Sequence, residues 1–264
     1  MIYPRATPKI TKTNFWEGNA GREAVVLHIT QGGFASSIKY MADTGTSAHF
    51  ITSKRGEIVQ IVDTDDSAWC NGLTWVPANG AWLCPHKKFV TPTWSKITPP
   101  TNPNRQTISI EHEGFSGQAL PSAQRQATLE LLVWLGRQYP ELTPYKVGST
   151  LIGHYHLDPR DKAGCPGPGF DLAWFADTAN RILGVTDEWR IAWSARGVPA
   201  PDGVAVDWAI PTFYREHLDT LGACVVPEHY PVEGVSVAIF EGGIIYYLSS
   251  TGRAYLAAEF EKRL

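Results

Sequence analysis

The chain has 264 residues, 43% hydrophobic and 19% charged, and carries a net charge of −3. This length builds one large domain, or a medium domain with a small one, around a sizeable core. The charge balance excludes a nucleic-acid binder held by phosphate contacts, and no run is long and apolar enough to span a membrane.

The first segment, MIYPRATPKITKTNFW, has neither the apolar centre nor the small-residue cleavage site of a signal peptide. Synthesis in a cytoplasm without a leader is therefore expected. Residues 24–30, AVVLHIT, are β-branched and apolar up to Gln31-Gly32-Gly33, and predict a buried strand that ends in a loop. A helix is expected over 34–43, with Ser36 or Ser37 near its start and Gly45 past its end. Residues 47–62 predict two strands joined by a turn at Lys54-Arg55-Gly56. From 69 to 104, Pro, Gly, Asn and Trp dominate without periodicity, which predicts one long functional loop. TISIEHE, residues 107–113, predicts another strand.

Residues 122–139 carry Ala123, Ala127, Leu131, Trp134 and Leu135 in a helical stripe that stops at Pro140. A further helix is expected over 172–183. Strands alternating with helices predict an α/β fold, a mixed central β-sheet flanked by helices. After Gly184 the character changes. Arg196 to Gly203 reads as a linker, 212–221 as a short helix, and 235–240 and 244–248 as strands. The expected organisation is a larger domain over 1–184, a linker over 185–204, and a small C-terminal α+β module over 205–264.

The ten Trp suit either a carbohydrate- or peptide-binding surface or a well-filled core. Four cysteines in a chain this long do not make a disulfide scaffold. Reduced, mostly buried thiols are expected, although Cys70 and Cys84 could pair in an oxidising space.

A zinc hydrolase needs three protein ligands and an open fourth position. His28 ends a strand, where its side chain can project into a site. A lone strand histidine is more often a core or surface residue. The run from His154 to Cys165 is more informative. It is short, rich in Pro and Gly, and has a ligand-type residue at each end, so it can fold both ends onto one metal. His156 competes with His154, and Asp158 and Asp161 compete with Cys165. Glu111 is the candidate acid/base, because a carboxylate in an apolar strand is costly unless paired or working. By alternation it shares a face with Ser109 and Glu113, while Ile108, Ile110 and His112 take the other.

VVLHIT (25–30), TSAHFITSKRGEIVQIV (46–62), SAWCNG (67–72), SIEHEG (109–114) and GHYHLDPRDKAGCPGPGFD (153–171) resemble, in order, the motifs of the type 2 N-acetylmuramoyl-L-alanine amidases. That family includes a cytoplasmic amidase that recycles anhydromuropeptides, phage lytic amidases and animal peptidoglycan recognition proteins. The resemblance implies Zn2+ held by His28, His154 and Cys165, with Glu111 as the catalytic carboxylate. Phage members that lack this Glu use a Tyr at the position where Ala48 stands, so the chain follows the Glu branch. Two departures stand out. The family usually has a Lys two residues before the third ligand, where Ala163 stands; Lys162 is one residue further away and is expected to hold the oxyanion, with Arg160 as its rival. Cys70 stands where recycling members have His.

Trp69, Asn71 and the loop after Cys70 are expected to wall the peptide groove. His49 reads either as a substrate contact or as a buried histidine bonded to backbone. The implied partner is peptidoglycan, both glycan strand and stem peptide. The leading expectation is a phage-type endolysin released to the wall by a holin-type partner. The alternatives are a cytoplasmic recycling amidase and a non-catalytic recognition protein. Residues 221–255 resemble an LGFP-type wall-associated repeat through Leu221-Gly222, Glu228, Gly234, Phe240-Glu241-Gly242-Gly243, Ile245-Tyr246 and Thr251-Gly252, and depart from it at Ala223-Cys224. That likeness implies wall binding; a stabilising extension is the other reading.

Overall fold

The structure is a computed structural model that describes residues 1–11, 13–43, 45–195, 224–232, 235–240, 243–248 and 253–256. The chain divides into two units, Met1–Asn180 and Arg181–Leu264. The first unit opens with β1 (Thr7–Pro8), β2 (Phe15–Trp16) and β3 (Ala24–Ile29), followed by helix α1 (Phe34–Asp43). Strands β4 (Phe50–Thr52), β5 (Ile58–Gln60) and β6 (Ser67–Ala68) come next. Then come β7 (Thr74–Val76), β8 (Ala81–Leu83), β9 (Phe89–Val90) and β10 (Thr107–His112). Helix α2 (Ser122–Gln138), β11 (Leu151–Gly153) and helix α3 (Leu172–Ala195) complete the series, α3 running on into the second unit.

Six strands form one mixed sheet in the order β1-β5-β4-β10-β3-β11. The pairs β4–β10, β10–β3 and β3–β11 are parallel, and the β4–β5 hairpin is antiparallel. Every residue of β3 and of β10 is buried, as expected for central parallel strands covered on both faces. Register follows from the alternation of side chains. Glu111 pairs with His28 and with Ile51, so these three share a face. Along that face, Met41 of α1 joins Ala48, Ile51, Val59 and Ile61 in one core cluster.

The opposite face carries Phe50 and His112. Trp134 of α2 meets Phe50 edge-on at 6.1 Å, and His112 Nε2 contacts Thr128 Oγ1 of α2 at 2.8 Å. The stripe expected from Ala127, Leu131 and Leu135 is buried, and Pro140, which cannot continue a helix, follows its end. Gly56 turns the β4–β5 hairpin at φ +85, and a Cβ there would meet the Ala123 carbonyl oxygen of α2 at 2.9 Å, so the position requires glycine.

Two expectations need correction, one within this unit and one at its end. The single loop expected over 69–104 contains the three-stranded antiparallel sheet β7-β8-β9. Its strands are two or three residues long, too short for alternation to show. Trp82, Trp94, Cys84 and Leu73 pack beneath it on Ala24, Val26, Ile152 and Leu157, so part of the tryptophan content fills core. Burying each such large apolar side chain stabilises the fold by about 1.5–3 kcal/mol. The helix expected to stop at 183 runs on to Ala195, through the first residues of the linker expected over 185–204. The rest of that linker and the helix expected over 212–221 lie outside the described residues.

In the second unit, β12 (Cys224–Val232), β13 (Val235–Phe240), β14 (Gly243–Leu248) and β15 (Arg253–Leu256) form an antiparallel sheet in chain order. Pro227 and Pro231 lack a backbone donor and stand in β12, an edge strand, where that loss is tolerated. Val237, Ile245, Tyr246, Tyr247 and Tyr255 are buried. No helix among the described residues is long and apolar enough to cross a membrane.

Candidate active site

Three neighbouring parallel strands deliver the site at their carboxyl ends, where open α/β sheets bind ligands. His28 comes from β3 and Glu111 from β10, at the same register. His154 follows β11 directly, in a short 3-10 turn. Backbone bonds then fold the following loop back. Lys162 N–H donates to Asp158 O at 3.1 Å, Cys165 N–H to Lys162 O at 2.9 Å, and Tyr155 N–H to Cys165 O at 3.1 Å. These bonds bring Cys165 beside the two histidines.

One donor atom from each of His28, His154 and Cys165 lies within 4.8 Å of the other two. The two Nδ1 atoms are 3.0 Å apart, and Cys165 Sγ is 3.9 Å from His28 Nδ1. Burial, then the neighbouring His154, push His28 well below its ordinary pKa. Burial, then the Lys162 ammonium, hold His154 at about 3. Two neutral imidazoles thus face each other nitrogen to nitrogen. This is an arrangement that a cation between them satisfies. Burial pushes the Cys165 thiol up to about 12, while Lys162 pulls it down. A thiol in that position becomes a ligand only as thiolate, which a metal stabilises.

Glu111 Oε1 lies 4.0 Å from His28 Nδ1, and its Oε2 is buried without a hydrogen-bond partner. Burial raises this carboxyl from 4.5 to about 8, opposed by Lys162. The contact with His28 is therefore no ion pair, because burial keeps both groups neutral. Cys70 Sγ lies 3.9 Å from His28 Nε2, the side of the ring turned away from Cys165, and burial pushes its thiol pKa up. Cys70, Cys84 and Cys165 are free thiols, so the conditional Cys70–Cys84 pairing is not formed.

These groups open into a cleft of about 540 Å³. Lys162 lines it, whereas Arg160 is exposed and does not. The other wall comes from Gln31 and from Ser36, Ser37 and Tyr40 of α1. The sequence reading missed this wall, although α1 begins six residues after His28 and so must start beside the site. Gln31 holds φ 55, a left-handed conformation that costs a non-glycine residue about 1–2 kcal/mol.

None of the three expected substrate contacts lines the cleft. His49 is fully buried; its Nε2 bonds Asp66 O at 3.1 Å and its Nδ1 accepts from Ser109 N–H at 3.0 Å. It couples β10 to the loop before β6, and burial holds it at about 4. Asn71 is 1% exposed and donates through Nδ2 to Thr107 Oγ1 and Ser109 Oγ, at 2.8 and 2.7 Å. Its amide, next to His28, offsets a small part of the lowering that burial imposes on that ring. Trp69 is half-buried against Trp16, ring centroids 5.4 Å apart. The three lie in two motifs, residues 46–62 and 67–72, which hold together the strands and loop behind the cleft.

Buried donors around one point, a carboxyl held protonated beside them and an open cleft define the site of a hydrolase. The family model for N-acetylmuramoyl-L-alanine amidases matches residues 19–168, more than half of the chain, and the chain belongs to that family. The 1,6-anhydro-N-acetylmuramyl-L-alanine amidase AmpD of Citrobacter freundii is 30% identical over 135 residues, 51% of this chain. The match spans 58% of that relative's length. The crystal structure of a selenomethionine AmpD derivative is 20% identical with a TM-score of 0.49, over 67% of this chain and 96% of that one. AmiD from E. coli, in complex with anhydro-N-acetylmuramic acid-L-Ala-D-gamma-Glu-L-Lys, is 20% identical with a TM-score of 0.45, over 63% of this chain and 66% of that one.

Proposed function

We propose that this protein hydrolyses the amide bond between N-acetylmuramic acid and L-alanine in peptidoglycan, with Zn2+ as its metal, and acts on the wall as a phage-type endolysin. The observation that carries the chemistry is the convergence of the His28, His154 and Cys165 donors within 4.8 Å, beside the unpartnered Glu111 oxygen. Two imidazoles and a thiolate suit zinc and leave a fourth position open. Bound Zn2+ supplies Lewis acidity, which polarises a carbonyl and acidifies water.

The chain's own residues do the rest. In its ionised form, which the Lys162 ammonium favours, Glu111 takes a proton from the attacking water at its free Oε2 and hands it to the alanine nitrogen as the C–N bond breaks. The Lys162 ammonium already pulls this carboxyl down toward the range in which it both accepts and donates. Lys162 Nζ donates to the lactyl carbonyl oxygen as negative charge develops there; one positioned donor is worth about 3 kcal/mol of barrier. The test is release of a new N-terminal L-alanine from muropeptides, lost on chelation and restored by Zn2+. Cleavage undiminished after complete metal removal would sink the zinc reading.

The endolysin role rests on the unit Arg181–Leu264, which lies beyond the matched residues 19–168. A soluble muropeptide needs no second unit, whereas an insoluble wall rewards an anchor by raising effective concentration. Its likeness to the LGFP repeat supports the same reading, and a holin-type partner would open the way to the wall. The second reading, a recycling amidase, is favoured by the name of the Citrobacter relative, which specifies a 1,6-anhydro substrate. Rates on intact sacculi and on free anhydromuropeptide separate the two; activity confined to the soluble substrate would end the endolysin reading.

A further inference from the structure

A second group of metal-type donors stands apart from the active site and shares no residue with it. Cys84 follows β8 and is 2% exposed. Asp158 is 1% exposed; its Oδ1 accepts the backbone N–H groups of Arg160 and Asp161, at 3.1 and 2.9 Å. Its other oxygen, Oδ2, is buried with no partner. A carboxylate oxygen left without a donor in the interior is destabilising unless a cation meets it. One donor atom from each of Cys84, Asp158 and Asp161 lies within 4.8 Å of the other two. Cys84 Sγ donates to Asp161 Oδ2 at 3.5 Å.

From this arrangement we infer a second metal site, formed by Cys84, Asp158 and Asp161, that takes a divalent cation of the zinc class. Calcium and magnesium prefer all-oxygen sets; one thiolate with two carboxylates selects a softer ion. The neighbouring Lys88 does not fill the site. Its Nζ binds Asp161 Oδ1 at 2.8 Å, on the oxygen that Cys84 leaves free, and the side chain is 47% exposed. Binding exchanges the Cys84 thiol proton for the cation, and the proton leaves to solvent. Water would supply a fourth donor.

The bound ion would tie the β8–β9 hairpin to the loop that carries His154, Lys162 and Cys165. Asp158 is already bonded into that loop through its N–H to His154 O, at 3.0 Å, and its carbonyl to Lys162 N–H, at 3.1 Å. The site does not depend on the amidase reading.

The test is metal content of the full chain after equilibration with Zn2+ and gel filtration. Two equivalents are expected for the unmodified protein, and one each for Cys84→Ser and Asp161→Asn. A His154→Ala/Cys165→Ser protein should keep one equivalent. With Co2+ it should show a thiolate charge-transfer band that a further Cys84→Ser removes. Asp161 is only partly buried, so its variant decides the matter if Cys84→Ser fails to fold by circular dichroism. A single equivalent in the unmodified protein, or a second equivalent retained by folded Asp161→Asn, overturns the inference.

Discussion

Replacing Glu111 by Gln keeps the side-chain volume and removes both its charge and its capacity to move a proton. Two effects of opposite sign follow. In metal-free protein, burial lifts the Glu111 carboxyl from 4.5 to about 8, against the pull of Lys162. The folded state therefore retains a proton that the unfolded chain releases above pH 4.5. Stability is lost as pH rises from about 4.5 through about 8, because the unfolded state binds fewer protons across that window. At pH 7 the accumulated loss is about 3 kcal/mol. Gln titrates nowhere in this range. Chelated Glu111→Gln should thus exceed the parent in stability by about 3 kcal/mol at pH 7 and match it near pH 4. Urea unfolding followed by tryptophan fluorescence, at several pH values with chelator present, measures the difference. In the zinc-loaded protein the same substitution should leave metal content unchanged and lower turnover by at least about two orders of magnitude. Turnover close to the parent's, or a stability gain equal at pH 4 and pH 7, would refute the assignment of Glu111 as a buried working acid.

Four further outcomes are expected. His154→Ala and Cys165→Ala should each abolish turnover and remove the metal bound by the His28 group; a Cys165→Ala protein with full metal and full activity would show the ligand set to be different. Lys162→Ala should lower kcat by about two orders of magnitude with little change in zinc content, while Arg160→Ala, at an exposed position outside the cleft, should change neither; the reverse pattern would transfer the oxyanion role to Arg160. His49 and His112 are held at about 4 by burial, so the unfolded chain takes up protons below 6.5 that the fold refuses; stability should fall as pH drops from about 6.5 to 4, and His49→Gln should flatten that fall in pH-dependent unfolding. A chain ending after Asn180 should still cleave soluble muropeptide and should sediment less with purified walls; equal sedimentation by the two chains would end the wall-binding role of the second unit.

Much of the site could be read from local pattern. The apolar run before His28 predicts a buried strand whose end projects a side chain, and the Pro- and Gly-rich run between His154 and Cys165 predicts a loop with a ligand at each end. Alternation in SIEHEG puts Glu111 on the face opposite His112, and the structure has the two on opposite faces. These signals are local because they depend on the period of side chains along one segment. Other features are not local. The three strands within 74–90 are held by pairing with one another and by Trp82 and Trp94 packing on β3 and β11, contacts that no window of sequence contains.

The floor under the site shows the same limit more sharply. Trp69 and Asn71 of SAWCNG read as substrate contacts, and His49 of SAHF reads either as a contact or as a buried histidine. Whether His49 and Asn71 face a ligand or the core depends on how β4, β10 and the loop before β6 stack. In the structure their polar atoms meet Ser109, Thr107 and Asp66. Local pattern specifies β3, α1, the β4–β5 hairpin, β10 and α2 in order, and which residue types could hold a metal, but not β11 or the short strands over 74–90. Only the tertiary structure decided that β3, β10 and β11 lie side by side, bringing His28, Glu111 and His154 to one edge, because strand neighbours are chosen by long-range burial and hydrogen bonding across the sheet and not by the pattern within any one strand.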